Sequence, residues 1–521
     1  RAADPYAQWR VSGAAGHRGY PPAAAYAPPM MPPRPPPGMP GWPGQIAVPP
    51  PMAPMPPLVA AMERPGAPLP PVSVQQPILL TSFSYDAEKR QHFDDSSKRW
   101  YHEPPTRANQ GLGTGVPADL NYGSAAFHDK PHVPDPLDSV LAALHYRAAQ
   151  PATAPIVLGA PCVPSENLEN ELLRANVVTW RGIMTKLCTA WSCHVQAPPQ
   201  FREGFELNVM MLGDTLFIEE RPPDVYELAQ RAPKSRAQER ATYYGYSFES
   251  YCTQTTPSSL ATEVRQQQPD AFSSSEPVGW GGEVNTNVQW CHIVKTRLGD
   301  SRVIIGGEVD CVETLPNDAS GAPREGVVEL KTNVTLRDAQ DEMKLSVKML
   351  RMYMQSFLLG VRTVVVGFRD ARGTLESHRA YRTLDLPRAV RDKPGQWNAN
   401  HNLSFGSAIL SFLRREVAAQ TERWLLAAGD RIRQGEAAQG PYDWRAHRSS
   451  SSFLCHLPLP STRDAELDYP VFRLRYEPPF THLTLQYVPP PELQADGRRE
   501  QRCGIVPSDF YEWVTGPMPT A

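Results

Sequence analysis

Val303-Ile-Ile-Gly-Gly-Glu308-Val309-Asp310, followed by Val327-Val328-Glu329-Leu330-Lys331, is the stretch whose reading decides the fold. Both runs are apolar and rich in β-branched residues, so both read as strands, and a strand turns alternate side chains to opposite faces. That period places Glu308 and Asp310 on one face of the first strand. On the second it places Glu329 with Lys331 and turns Val328 and Leu330 into apolar packing. Carboxylates this close repel one another unless a cation joins them. Hard oxygen ligands without a His or Cys cluster suit Mg²⁺ or Mn²⁺ better than zinc. The chemistry suggested is metal-assisted phosphoryl transfer, with the lysine orienting an attacking water or offsetting charge on phosphate oxygens. Either tripeptide alone commonly marks a solvent-facing strand edge, so the weight rests on their order.

Outward from this stretch, residues 288–296 and 302–312 read as two strands joined by a hairpin turn at Leu298-Gly299-Asp300. Further strands are expected at 362–369, 375–385 and 471–488, and helices at 166–191, which contains Arg181, and at 408–434. Met343, Val347, Leu350, Met354 and Phe357 recur at helical steps and predict a buried helix face. The neighbouring row, Lys344, Lys348, Arg351 and Gln355, faces either solvent or a cleft. The expected class is α+β with antiparallel pairing.

The whole chain has 521 residues, 52 Lys+Arg against 55 Asp+Glu and a formal charge of −3, so any nucleic-acid contact is local rather than a basic coat. Of its 57 prolines, 23 fall in residues 1–80. Residues 1–77 therefore read as a disordered Pro-rich tail, 78–515 as one domain and 516–521 as a C-terminal tail. Eight cysteines without paired spacing read as reduced thiols. No positively charged, then apolar, leader is visible. The most apolar stretch, residues 357–368, is too short to cross a bilayer, and no membrane association is expected. Gly111-Leu-Gly-Thr-Gly115 is followed by Pro117 and lacks the strand-to-helix frame of a phosphate loop.

The order of an Asp on one strand and Glu-x-Lys on the next resembles the nuclease superfamily named for its Asp…Asp/Glu-x-Lys core. Gly245-Tyr246-Ser247-Phe248-Glu249, Trp180-Arg181-Gly182 and Gln355-Ser356-Phe357-Leu358-Leu359-Gly360 extend the likeness. Together these motifs resemble the DXO/Rai family of RNA 5′-end decapping enzymes. Ser82-Phe-Ser-Tyr-Asp86, Asp94-Asp95-Ser96-Ser97 and Ala118-Asp119-Leu120 are similar to fungal Rai-type members. The resemblance covers roughly residues 78–515.

That resemblance implies two β-sheets flanked by helices, with an active-site cleft between them. It implies that Glu249, Glu308, Asp310, Glu329 and the main-chain oxygen of Leu330 hold Mg²⁺ or Mn²⁺, as two divalent ions. Glu249 would act directly or through water. Lys331 and Gln355 would hold the attacking water and scissile phosphate, and Arg181 would contact RNA. The implied activity is hydrolysis of incomplete or aberrant RNA 5′ ends (triphosphate, unmethylated cap or NAD cap), leaving 5′-monophosphate RNA. Some members continue as 5′→3′ exoribonucleases. An alternative role is that of a non-catalytic stabilising partner of a nuclear 5′→3′ exoribonuclease of the Rat/Xrn type. A nuclear location follows from the resemblance, with the cytoplasm as the alternative.

Overall fold

The chain crosses between two β-sheets at Glu308-Val309-Asp310, and this crossing organises the molecule. The computed structural model describes residues 58–61, 69–130, 133–150, 175–195, 203–223, 227, 234–257, 276–317, 321, 324–436, 469–478, 480, 482–495 and 501–515. All of these belong to one compact unit, Pro54–Ala521.

The first sheet contains β1 (Leu58–Ala61), β2 (Val74–Tyr85), β3 (Gln91–His92), β5 (Val177–Trp180), β6 (Phe205–Leu212), β7 (Thr215–Glu220), β9 (Gln289–Leu298), β10 (Ser301–Glu308), β15 (Val471–Tyr476) and β16 (His482–Val488). Their order is β1-β16-β15-β6-β7-β5-β10-β9-β2-β3. The second sheet contains β4 (Trp100–Tyr101), β8 (Thr253–Gln254), β11 (Cys311–Leu315), β12 (Arg324–Val334), β13 (Thr363–Arg369) and β14 (Leu375–Arg382), ordered β14-β13-β12-β11-β4-β8. Pairing is mostly antiparallel; β5 runs parallel to both β10 and β7, β12 to β13, and β11 to β4.

Helices flank these sheets: α1 (Asp138–Ala148), α2 (Arg181–Val195), α3 (Arg236–Cys252), α4 (Ala339–Leu359), the short α5 (Leu386–Ala389), α6 (Ala399–Glu436), α7 (Pro490–Ala495) and α8 (Ser508–Thr515). The α+β class and the two flanked sheets are those expected. Among the described residues no helix is long and apolar enough to cross a membrane. Cys188, Cys252, Cys291, Cys311 and Cys503 are buried free thiols.

The β9–β10 hairpin turns where expected, at Gly299-Asp300, with Gly299 at φ 58°, a conformation glycine adopts without a steric cost. The single strand expected over 302–312 is instead two. β10 ends at Glu308 and β11 begins at Cys311 in the other sheet. The helix expected over 166–191 also needs correction. Residues 177–180 form β5, hydrogen-bonded between β10 and β7, and the helix starts only at Arg181; residues 166–174 lie outside the described residues. The β-branched pair Val177-Val178 in a central strand position outweighs the helical spacing. The helix expected over 408–434 begins earlier, at Ala399. The strand expected over 375–385 ends at Arg382 in a 3₁₀ turn. Two elements fall within the stretch read as tail: β1, which pairs antiparallel with β16, and the start of β2. Residues 1–57, 62–68 and 516–521 lie outside the described residues.

The two faces of β12 separate chemistry from packing. Val328 and Leu330 are buried beside Phe248, Tyr251 and Cys252 of α3. Each such aliphatic side chain contributes about 1.5–3 kcal/mol on burial. α3 begins at a capping box in which Ser235 accepts from the Gln238 amide while the Gln238 side chain accepts from the Ser235 amide. On α4, Asp338 caps the first turn through the Asp341 amide at 2.8 Å. One buried row of α4 is Leu345, Met349, Met352, Ser356 and Leu359. Of the row expected, Leu350 and Met354 are buried while Met343, Val347 and Phe357 are only partly so. α4 packs against α2 as well as the sheets, so burial covers a wide stripe rather than one narrow row.

Candidate active site

Glu308 ends β10, Asp310 precedes β11, Glu329 and Lys331 lie on β12, Glu249 on α3, Arg181 at the start of α2 and Gln355 on α4. Glu249, Glu308 and Asp310 line one cavity of about 210 Å³, together with Tyr246, Arg99 and Trp290. Arg181, Glu308 and Gln355 line a second, of about 220 Å³, together with Trp180, Lys130 and Asp135. Glu308 thus reaches both. Glu308 and Asp310 share a cavity because the crossing between sheets holds them there; the regular strand has already ended.

Glu329 is the hinge of the electrostatics. Its Oε2 accepts from Arg181 Nη1 at 2.7 Å and its Oε1 lies 2.6 Å from Lys331 Nζ. Burial opposes its ionisation, but Arg181 and Lys331 more than offset that and hold it down at about 2. Asp310 accepts the Leu330 amide at 2.6 Å, and its Oδ2 lies 3.9 Å from Lys331 Nζ. Burial, aided by the Glu329 charge, nevertheless pushes Asp310 up to about 7. Burial likewise pushes Glu249 well above the usual carboxylate range, with Asp310 adding to the shift. Burial opposes the charge on Lys331, yet Glu329, Asp310 and Glu249 keep its pKa above the ordinary lysine value.

Four carboxylates therefore face two cations, a formal excess of two negative charges in a largely buried site. The upward shifts of Asp310 and Glu249 favour their protonated forms, which lessens it. The all-oxygen donor set and the charge excess fit a hard divalent cation. Among the described residues no group of three or more acidic, His or Cys side chains has gathered at ligating distance. Instead Arg181 and Lys331 take both oxygens of Glu329, and Lys331 Nζ also donates to the Leu330 carbonyl at 3.0 Å. A cation would have to draw these groups from those partners.

Arg181, expected to contact RNA, is engaged with Glu329. Of the polar row on α4, Gln355 alone lines the cavity. Lys344 pairs with Asp341, Lys348 donates to Asn333 at 2.9 Å, and Arg351 pairs with Glu203 at 2.7 Å. The sequence reading missed Lys130 and Gln289, which line both cavities and meet at 3.2 Å. They stand far from the motifs, and no periodicity marks them.

The sequence matches the family model described as RAI1 like PD-(D/E)XK nuclease over residues 75–440. The chain belongs to this nuclease family. The resemblance read from the motifs is thereby borne out. The "Decapping nuclease RAI1" of Mycosarcoma maydis is 35% identical over 482 residues, which cover 85% of this chain and 88% of that protein. The human "Decapping and exoribonuclease protein" is 31% identical over 353 residues, covering 67% of this chain and 77% of the relative. Among solved structures, Candida albicans Rai1 in complex with pU5-Mn²⁺ shares the fold with a TM-score of 0.58 at 19% identity, over 88% of this chain and 99% of that one.

Proposed function

We propose that the protein hydrolyses incomplete or aberrant RNA 5′ ends with the help of a divalent cation, leaving 5′-monophosphate RNA, in 5′-end quality control. The observation that carries this reading is the gathering of Glu249, Glu308, Asp310 and Glu329 around Lys331 and Arg181 at the crossing between the sheets. It is supported by membership of a nuclease family whose relatives are named decapping nucleases.

In this reading Glu249, Glu308, Asp310, Glu329 and the Leu330 carbonyl hold Mg²⁺ or Mn²⁺, as two ions. When bound, such cations supply Lewis acidity at a phosphate oxygen and make a neighbouring water more acidic. The rest falls to the chain. Lys331, drawn away from Glu329, offers its ammonium donors to the attacking water and the scissile phosphate. The Gln355 amide, in the cavity with Arg181 and Glu308, both donates to phosphate and accepts from water. Arg181 keeps Glu329 ionised as an acceptor. The burial of Glu329 and Arg181 strengthens their interactions relative to water.

The candidate ends are 5′-triphosphate, unmethylated cap and nicotinamide-nucleotide cap, released as pyrophosphate or a 5′-end nucleotide. The same chemistry at the next phosphodiester gives 5′→3′ exoribonuclease activity. The proposed partner is a nuclear 5′→3′ exoribonuclease of the Rat/Xrn type, and the proposed location is the nucleus. Mass analysis of products from the three RNAs, with Mg²⁺ or Mn²⁺, tests the chemistry and ranks the ends. Monophosphate RNA is expected from at least one of them. A protein that binds RNA and metal yet cuts none is better read as the exonuclease's stabilising partner.

A further inference from the structure

A cavity of about 560 Å³ lies apart from the two at the candidate active site, between α4 and the far strands of the second sheet. The strand register places it. Lys331 pairs with Val366 and Val366 with Arg379; Glu329 pairs with Val364 and Val364 with Tyr381. Side-by-side residues on neighbouring strands share a face, so Arg379 and Tyr381 lie on the catalytic face two strands, or about 10 Å, away. Val364 and Val366 between them are fully buried, and the Lys348–Asn333 bond closes α4 against β12 alongside. The cavity is therefore a separate compartment.

Its lining mixes apolar and aromatic side chains with polar and charged ones. Phe368, Leu345, Met349 and Tyr381 supply its apolar and aromatic part. The Arg379 guanidinium lies 5.0 Å over the Tyr381 ring. Lys393 approaches from the segment after α5, and Glu342 from α4. Among the described residues Arg379, Lys393 and Glu342 form no ion pair, whereas Lys344 pairs with Asp341 and Arg388 with Asp385. Cavities of roughly 300–1,000 Å³ with an apolar lining and a few convergent polar groups take small ligands.

We infer that this compartment is a second, non-catalytic site for a free mononucleotide whose base carries N–H donors. Arg379 and Lys393 take the phosphate, through a guanidinium fork and an ammonium point charge. Phe368 and Tyr381 contact the base, as aromatic side chains do in nucleotide recognition. Glu342, an acceptor-only carboxylate, takes the N–H edge. Guanine offers a ring N–H and an adjacent amine to one carboxylate, so GMP is the probe that uses every group.

Equilibrium dialysis of the full-length protein against labelled GMP, in chelator, tests this through binding and without turnover. The test is independent of the hydrolase reading. Wild type is expected to bind saturably, Arg379→Ala/Lys393→Ala at least tenfold more weakly, and Lys331→Ala like wild type. Arg379 and Lys393 are exposed, so the double variant keeps the fold, checked by circular dichroism. Guanosine, lacking the phosphate, should bind at least tenfold more weakly than GMP, and Glu342→Gln should narrow the preference for GMP over IMP. No saturable binding by wild type overturns the inference. So does loss in Lys331→Ala with retention in the double variant, which would put the nucleotide in the catalytic cavity.

Discussion

Arg181 Nη1 lies 2.7 Å from Glu329 Oε2, tying the first residue of α2 to the middle of β12. The Arg181 side chain is 13% exposed and that of Glu329 2%, so this is a buried pair. Breaking such a pair from one side leaves an uncompensated buried charge and costs about 3–5 kcal/mol. Lys331 remains beside Glu329, so Arg181→Met should cost about 3 kcal/mol in urea unfolding. Arg181→Met/Glu329→Gln should cost less than the sum of the two single changes. Additive losses would mean that the two side chains act independently.

Divalent ions should stabilise the fold through the carboxylates. A ligand at a hundred times its Kd adds about 2.7 kcal/mol. Thermal unfolding of wild type should rise with Mn²⁺ to this extent per occupied site, and Asp310→Asn should remove most of the rise. An equal rise in both proteins would place the ion elsewhere.

His292 provides a pH-dependent test of the core. It is buried, its Nε2 has no hydrogen-bond partner, and burial, followed by the Lys98 charge, lowers it to about 3. The unfolded chain takes up this proton near pH 6.5 while the folded one refuses it until about pH 3. Stability from this group is therefore complete above pH 6.5 and falls through that window, by about 1.4 kcal/mol per pH unit at most. Urea midpoints of His292→Phe measured from pH 7 to 4 should decline less steeply than those of wild type. Parallel slopes would refute the assignment.

Gly367 on β13 lies beneath the Phe248 ring, and a Cβ there would sit 2.4 Å from Phe248 Cε2. Phe248 is fully buried and precedes Glu249. Gly367→Ala should therefore destabilise by about 1–3 kcal/mol through overpacking and also weaken Mn²⁺ binding by shifting Glu249. Unchanged stability would show that α3 yields freely.

Much of this was legible because a strand has a fixed period. Val328 and Leu330 announced the core face of β12, and Glu329 and Lys331 the chemical one. The same period misassigned the next piece: nothing local in Glu308-Val309-Asp310 shows that the chain is leaving one sheet for another. The start of α2 was missed for a related reason. The spacing around Val178 and Ile183 suits a helix, and only hydrogen bonding to β10 and β7 makes Val177–Trp180 a strand. Lys130, Gln289 and the separate cavity beside Arg379 depend on long-range register, which no single segment carries.

The central claim is that the carboxylate–lysine cluster performs the hydrolysis. Its most direct test is the single-turnover rate on 5′-triphosphate, unmethylated-cap and nicotinamide-capped RNA in Mn²⁺, for wild type and for Glu329→Ala matched by circular dichroism. The expected result is 5′-monophosphate RNA from wild type on at least one end and a loss of at least about a hundredfold in the variant. Full activity in Glu329→Ala would contradict the account.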